Sequence, residues 1–323
     1  MKKKCAIITG IYGQDGSLLA QFLLGKQYRV VGIVKELRQH KLDKFSIETI
    51  SANICDPTEM IQIFEKYQPD EFYHLAAAHH SSEKYTEASI HRNMLEVNFF
   101  STQNILGALL KIKPDCRFLY AGSSQMYTPE FDITVVDEKT PYRPSSYYGV
   151  TKVASANLID LLRRTRGLWG VTVNLFNHES NIRAEQFLSR KVSLYVANIK
   201  SNLKLNRLEA KEKLSIMDID ARTDWSAATD FVNAFYLSLQ AKAPDDYILA
   251  SGNIHTVSDL LNIAFRIAGL DWKDFVLNLK DPNSTLKPCL VGSSLKARER
   301  LNWRPEITFS ELIKGMVIHD LSK

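Results

Sequence analysis

Three regularly spaced glycines after the first apolar segment constrain the fold of this chain more than any other feature. Gly10, Gly13 and Gly16 follow the apolar residues 5–9 and open a segment, 14–25, whose leucines have helical spacing. Glycines let a backbone turn tightly and approach a pyrophosphate, which then binds at the helix N-terminus. A tight strand-to-helix turn without a ligand would use the same residues. Because the turn opens an alternating chain, we interpret Gly10, Gly13, Gln14, Asp15 and Gly16 as a dinucleotide-binding loop.

The rest of the first half alternates β-rich and helical segments. Further strands are predicted at 29–34, near 45–54, and at 70–77, 115–122 and 171–176, with helices between them. This pattern predicts an α/β fold, a Rossmann-type doubly wound parallel sheet with a smaller, interleaved C-terminal substrate-binding lobe. We assign residues 1–176 to the cofactor domain, with segments around 214–235 returning to it. Residues 177–323 are assigned mainly to the second lobe.

Composition excludes several classes of protein. The 323 residues carry 41 basic and 36 acidic side chains, and this dispersed charge of +5 gives no reason to expect nucleic acid as a partner. The four cysteines are far apart, which argues against disulfides and a metal site and favours a cytoplasmic location. No apolar segment approaches the roughly 18 residues of a membrane helix, so no membrane association is expected.

The end of the second predicted strand bears on the choice of cofactor. An acidic residue there would bind a ribose 2′-hydroxyl and repel a 2′-phosphate. Here Val34 is followed by Lys35, with Arg38 close behind, which favours NADP. Glu36 interrupts this basic patch, so NAD stays possible and a merely solvated loop is the alternative.

A tyrosine and a lysine one helical turn apart are the candidate catalytic pair. Tyr148 and Lys152 share a helix face, where an ammonium and a bound nicotinamide are expected to lower the pKa of the phenol. Such a tyrosine can take a proton from a sugar hydroxyl while hydride leaves the same carbon. Ser123 follows the fifth strand and could bind the same oxygen, although a polar loop there would also contain serine.

Motifs along nearly the whole chain resemble the extended short-chain dehydrogenases/reductases, and more narrowly the GDP-mannose 4,6-dehydratase family. They are residues 8–16, 74–77, Tyr148 with Lys152, 175–180, 187–191, Asp224-Trp225 and 301–307. The resemblance implies oxidation of the sugar at C4, loss of water across C5 and C6, and return of hydride to C6. It assigns the first step to Ser123, Tyr148 and Lys152.

The resemblance also implies binding residues. For the cofactor they are Asn53, Ile54, Leu75, Ala76, Ala77, His178 and Arg183, besides the glycine loop, Lys35, Tyr148 and Lys152. For a nucleotide-diphospho-sugar, with a GDP-sugar favoured, they are Ser81, Asn177, Glu185, Lys191, Arg222 and Lys287.

One departure from the family affects the dehydration step. The family has a glutamate base two residues after the Ser or Thr, whereas this chain has Gln125. An amide does not accept a proton near neutral pH. Either His79 or His80 removes the C5 proton, or the enzyme is a C4 dehydrogenase, reductase or epimerase without dehydration. A non-catalytic cofactor-binding protein is a further alternative, which an intact Ser123, Tyr148 and Lys152 argue against.

Other departures concern the assembly and the nucleotide base. The segment between Lys35 and Asn53 is shorter than the family loop that reaches a neighbouring subunit, so we expect a helix-packed homodimer rather than a tetramer. The family's basic pair before Asp-Trp is Arg222-Thr223 here, and an acidic group is missing from 287–290. Both changes weaken the expected preference for guanine.

Overall fold

A seven-stranded parallel sheet forms the centre of the protein. The computed structural model describes residues 3–45, 47–78, 88–204 and 213–323. The strands are β1 (Cys5–Thr9), β2 (Arg29–Val34), β3 (Glu48–Ser51), β4 (Glu71–His74), β5 (Arg117–Ala121), β7 (Gly170–Leu175) and β11 (Tyr247–Leu249). Their order is β11-β7-β5-β4-β1-β2-β3, and every neighbouring pair is parallel. The predicted doubly wound fold is confirmed, with β1 and β4 at the point where the strand order reverses.

Two apolar layers cover the two faces of this sheet. On one face lie α1 (Gln14–Gly25), α7 (Ala228–Gln240) and α9 (Leu295–Leu301). On the other lie α2 (Pro57–Tyr67), α4 (Ser101–Ile112) and α5 (Tyr147–Arg166). Helices on both faces bury both sides of the strands, so β1 is buried along its whole length and shows no polar alternation.

The long helical segment between β4 and β5 has three parts. An α-helix, α3 (Ala88–Leu95), continues through a π-helical turn over Glu96–Phe100 into α4. Single π-helical turns inside helices are frequent at functional sites, and this turn lies against the N-terminal half of α5.

The remaining elements form a second group around a separate core. They are β8 (Asn177–Glu179), α6 (Leu188–Lys204), β9 (Leu214–Ile216), β10 (Arg222–Ala227), β12 (Ile254–Thr256), α8 (Val257–Ile267), β13 (Val276–Asn278) and α10 (Phe309–Leu321). Helices α6, α8 and α10 bury aliphatic side chains against one another. A further parallel pair joins β6 (Ile133–Val136) to β14 (Cys289–Gly292).

The chain returns to the large sheet after the second group begins. Of the segment 214–235, α7 packs on α1, whereas β9 and β10 lie in small sheets outside the large one. Strand β11 and helix α9 also return, which the sequence analysis did not predict. The two groups of elements are therefore interleaved along the chain.

Candidate active site

The glycine turn after β1 has the shape of a cradle for a diphosphate. Gly10 has φ +69°, and a Cβ there would lie 3.0 Å from the backbone of Ala76. A Cβ on Gly16 would lie 2.6 Å from the Cα of Ile11, so only glycine allows this close packing at the start of α1. The backbone N–H of Gly13 donates to the carbonyl of Gly10 at 2.9 Å and closes the turn. The residues therefore fit a dinucleotide at this helix N-terminus.

A cavity of about 1100 Å³ opens beside this turn. It is lined by eight of the residues that the sequence assigns to the cofactor: Gly10, Gly13, Lys35, Asn53, Ile54, Leu75, Ala76 and Ala77. Glu36 and Arg38 line the same cavity, so the acidic and basic side chains after β2 face one space.

Buried polar side chains hold the wall of the cavity that follows β4. The Thr9 hydroxyl accepts hydrogen bonds from the backbone N–H groups of Leu75 and Ala76, both at 3.1 Å. Its own proton is then donated to Nδ1 of His74 at 2.8 Å, which leaves Nε2–H of His74 to donate to Ser101. This arrangement requires a neutral imidazole. Burial favours the same neutral form, because it lowers the pKa of His74 to about 3.

The candidate catalytic residues meet where β5 ends and α5 begins. Ser123 follows β5, and Tyr148 lies in the first turn of α5, whose N-cap Ser146 accepts from the N–H of Gly149 at 3.0 Å. The Ser123 hydroxyl and the Tyr148 phenol are hydrogen-bonded. Nζ of Lys152 lies 5.5 Å from the centre of the Tyr148 ring and donates to the carbonyl of Ala121 at 2.9 Å.

Burial sets the proton affinities of this group in the protein without a cofactor. The ammonium of Lys152 and a bound nicotinamide are together expected to lower the pKa of Tyr148. In the protein alone burial raises that pKa, despite the opposing influences of Arg183 and the Ser123 hydrogen bond. Burial also lowers the pKa of Lys152 to about 7. Desolvation outweighs charge here because both groups have lost their water. The tyrosine of the protein alone is a neutral donor.

Asn98, in the π-helical turn, is a structural anchor that the sequence analysis missed. Its side chain accepts from the N–H of Ala78 at 2.8 Å and donates to the carbonyl of Ala78 and to the Thr151 hydroxyl, both at 3.0 Å. It therefore ties the segment after β4 to the helix that carries Tyr148. The available signal was an amide within an otherwise helical segment.

A buried ion pair joins the glycine turn to β8. Nε2 of His178 lies 2.9 Å from the Asp15 carboxylate, and Nδ1 lies 2.7 Å from the carbonyl of Phe176. Because both ring nitrogens face acceptors, the imidazole is a cation. Burial works against this charge, but Asp15 raises the pKa of His178. Gln14 strengthens the same junction by donating to the carbonyl of His178 at 3.0 Å.

Arg183 lies close to this junction. Its guanidinium stacks 3.6 Å from the centre of the Phe187 ring, and its Nε lies 3.4 Å from the carboxylate of Glu179. That buried Nε has no hydrogen-bond partner among the residues that the structure describes. Its charge also lowers the pKa of Tyr148 against the larger effect of burial. The structure thus brings Asp15, His178 and Arg183 together near Tyr148, the candidate catalytic tyrosine.

Gln125 is the residue at which the resemblance predicts a glutamate base. It lies in a short 3-10 helix over Ser124–Met126, is exposed, and its Oε1 accepts from the Ser146 hydroxyl at 3.0 Å. A Cβ on Gly149 would overlap the carbonyl oxygen of Gln125 and approach Pro144 to 2.9 Å. Glycine at 149 therefore lets the turn carrying Gln125 pack directly on the start of α5.

The substrate candidates are only partly brought together. Arg222 forms a bidentate ion pair with Asp132, at 2.6 and 3.1 Å, and donates to the carbonyl of Lys287 at 3.1 Å. Asn177, Glu185 and Lys191 are exposed on β8, on the loop that follows it and on α6.

Arg190, next to Lys191, is buried in an ion pair with Asp320 on α10, which gives that arginine a structural role. Ser81, His79 and His80 lie outside the described residues.

Two general properties of the described chain bear on its class. Within residues 3–45, 47–78, 88–204 and 213–323, no helix is long and apolar enough to cross a membrane. The same residues contain no group of three or more His, Cys, Asp or Glu side chains arranged to hold a metal ion.

Solved structures share this fold. UDP-glucose 4-epimerase from Brucella ovis in complex with NAD superposes with a TM-score of 0.82 at 18% identity, over 98% of each chain. RMD from Pseudomonas aeruginosa complexed with NADPH gives 0.78 at 20% identity, over 99% of this chain and 100% of that one. The likeness to these structures shows the fold of this chain, a doubly wound fold of the Rossmann type.

The family follows from sequence comparison. The family model for GDP-mannose 4,6 dehydratase matches residues 7–316. GDP-mannose 4,6 dehydratase 2 from Arabidopsis thaliana is 33% identical over 99% of this chain and 87% of its own. The human GDP-mannose 4,6 dehydratase is 31% identical over 99% and 92%. The chain belongs to the GDP-mannose 4,6-dehydratase family.

Proposed function

We propose that this protein is an NADP-dependent nucleotide-diphospho-sugar 4,6-dehydratase-type enzyme that first oxidises the sugar at C4. The observation that supports the proposal most strongly is the grouping of Ser123, Tyr148 and Lys152 at the end of β5, beside the glycine cradle. A GDP-mannose-type sugar is the favoured substrate, because relatives that are 33% and 31% identical to this chain are named for it.

The chain's own residues account for the proton movements at C4. Tyr148 first releases its proton to solvent, and the ammonium of Lys152 stabilises the resulting phenolate. The phenolate then accepts the proton of the C4 hydroxyl, while Ser123 hydrogen-bonds the same oxygen. The high pKa that burial gives Tyr148 means that the tyrosine needs this stabilisation. A bound nicotinamide cofactor supplies the hydride acceptor.

NADP is the proposed cofactor, with NAD as the alternative. Lys35 and Arg38 line the cavity at the end of β2, where a ribose 2′-substituent is read, and Glu36 is the opposing charge. The structural relatives bind NADPH in one case and NAD in another. Titration with NADPH and NADH tests the assignment, and tighter binding of NADH would overturn it.

A second candidate function rests on Gln125. Its amide oxygen is engaged by Ser146, and an amide is not a general base, so C4 oxidation can proceed while loss of water fails. The enzyme would then be a C4 dehydrogenase, reductase or epimerase. Because a general base contributes about 10²–10⁴-fold, Gln125→Glu should introduce or accelerate dehydration.

One experiment separates the two functions. The protein is incubated with GDP-, UDP-, CDP- and dTDP-sugars in D₂O and the products are analysed by mass spectrometry. Loss of 18 mass units in a parallel incubation in H₂O, or of 17 in D₂O once deuterium enters at C5, supports the dehydratase, and a 4-keto product that keeps its C6 oxygen supports the second function. Deuterium at C5 reports deprotonation there. Fast dehydration by the unmodified enzyme would show that Gln125 does not disable the step, and would make His79 and His80 the next residues to substitute.

We propose a homodimer packed through helices. Phe100, in the π-helical turn, and Val150 and Leu161, on α5, are large apolar side chains that stay exposed at 46%, 48% and 46%. A dimer that buries this face would remove them from water. Light scattering tests the assembly: a monomer or a tetramer at micromolar concentration contradicts it.

A further inference from the structure

Tyr12 joins the glycine turn to the loop that follows β2. Its hydroxyl donates to the carbonyl of Arg38 at 3.2 Å. The Arg38 guanidinium lies 5.4 Å from the centre of its ring. The His40 ring stacks on it with centres 4.3 Å apart and an angle of 26° between the planes. One side chain within Gly10–Gly13 therefore contacts two residues of the loop.

The loop that meets Tyr12 is fixed from the protein core. His40 caps a 3-10 helix over Lys41–Lys44, with Nδ1 accepting from the N–H of Leu42 at 3.3 Å. The backbone N–H of His40 donates to the Asp43 carboxylate at 2.9 Å. Leu42 is only 1% exposed and belongs to the apolar layer beside β1. The position of the His40 ring therefore follows from buried packing.

Arg38 needs such a support. It is exposed, and a free arginine side chain loses rotamer entropy when it is fixed. Arg38 and Tyr12 line the same cavity as Lys35 and Glu36. A guanidinium held over the tyrosine ring is already restricted before a ligand arrives, and it offsets the charge of Glu36.

We propose that Tyr12 is a positioning residue that holds Arg38 at the adenosine end of the cavity to bind the 2′-phosphate of NADP. Guanidinium and phosphate form charge-assisted, bidentate hydrogen bonds. The arrangement lies within a single chain, so no neighbouring subunit has to supply the cation. This inference rests on the proposed use of NADP and specifies which residues deliver the selectivity.

The test is a double-mutant cycle on cofactor binding. Dissociation constants of NADPH and NADH are measured by fluorescence for the wild type, Tyr12→Leu, Arg38→Ala and the double variant. An exposed cation–π contact is worth about 0.5–1 kcal/mol, so Tyr12→Leu should weaken NADPH binding about two- to fivefold more than NADH binding. In the Arg38→Ala background the same substitution should have no such selective effect.

Two control variants accompany the cycle. Tyr12→Phe keeps the ring and loses only the hydroxyl, so it should retain most of the selectivity. Arg164→Ala removes an exposed arginine on α5 that pairs with Asp160, and it matches the charge change of Arg38→Ala outside the cavity. It should leave both constants unchanged. Binding of NADH by each variant shows that it is folded.

The outcomes separate this inference from the cofactor assignment. Equal loss of NADPH and NADH binding in Tyr12→Leu, or a selective loss that persists without Arg38, overturns the positioning role. If the wild type prefers NADPH but the cycle shows no coupling, the inference fails and the cofactor assignment stands. If the wild type prefers NADH while the two residues remain coupled toward NADPH, only the assignment fails.

Discussion

Replacing Lys152 with methionine should stabilise the nucleotide-free protein at mildly acid pH while abolishing catalysis. Burial lowers the pKa of Lys152 from 10.5 to about 7. At about 1.4 kcal/mol for each tenfold change in proton affinity, burying the ammonium costs about 5 kcal/mol of folding free energy. Methionine has a similar length but cannot make the 2.9 Å hydrogen bond to the carbonyl of Ala121. That loss, with the unpaired carbonyl, costs about 1–3 kcal/mol.

The difference in stability between Lys152→Met and the wild type should depend on pH. Below pH 7 the lysine is charged in the folded and unfolded states, so the penalty is fully present. Between about pH 7 and 10.5 the unfolded chain holds a proton that the folded protein lacks, so wild-type stability rises with pH. Lys152→Met should therefore be about 2–4 kcal/mol more stable than the wild type at pH 6, and this advantage should shrink by about 3 kcal/mol by pH 9.

Urea unfolding followed by circular dichroism, on protein freed of nucleotide, measures both quantities. Lys26→Met is the matched control, because Lys26 is exposed after α1 and should give a small effect that does not depend on pH. A stability difference for Lys152→Met that is the same at pH 6 and pH 9 would refute the reasoning.

Three further substitutions test the site around this lysine. Tyr148→Phe should abolish hydride transfer and leave NADPH affinity nearly unchanged, because the phenol acts on the sugar oxygen; turnover at the wild-type rate would exclude it. Gly149→Ala should cost about 1–3 kcal/mol of stability in urea unfolding, because its Cβ overlaps the Gln125 carbonyl, and an unchanged midpoint would contradict this close packing. Asp15→Asn should lower the pKa of His178 in an NMR titration, since the carboxylate is what raises it against burial; an unchanged titration would count against the buried ion pair.

Local patterns in the sequence were sufficient for six of the seven strands of the large sheet. Residues 5–9 and 29–34 are continuous apolar segments followed by turn or charged residues, and the structure has strands with these bounds. The Asp56-Pro57 helix start is equally local, because the Asp56 side chain accepts from the N–H groups of the first turn. The glycine turn could be predicted because its conformation requires glycine itself.

Local sequence patterns could not predict contacts between segments that are far apart in the chain. The return of β11 to the sheet depends on pairing with β7, more than 70 residues earlier, and its three residues carry little periodic signal. The effect of burial on the pKa values of Tyr148 and Lys152 could not be predicted, because their spacing shows a charge nearby but not the loss of water around both groups. The contacts of Tyr12 with Arg38 and His40 join segments whose spacing has no regular period.

Deuterium at C4 of the sugar shows whether the enzyme oxidises that carbon. GDP-mannose deuterated at C4 is incubated with the wild type and NADP, and the position of the label and the configuration at C4 are followed by mass spectrometry and NMR. We expect the wild type either to remove the label from C4 or to return it there with inverted configuration, whereas Tyr148→Phe should leave the labelled carbon unchanged. Retention of the label with unchanged configuration by a wild type that binds both ligands, or reaction of Tyr148→Phe at the wild-type rate, would contradict C4 oxidation by this group.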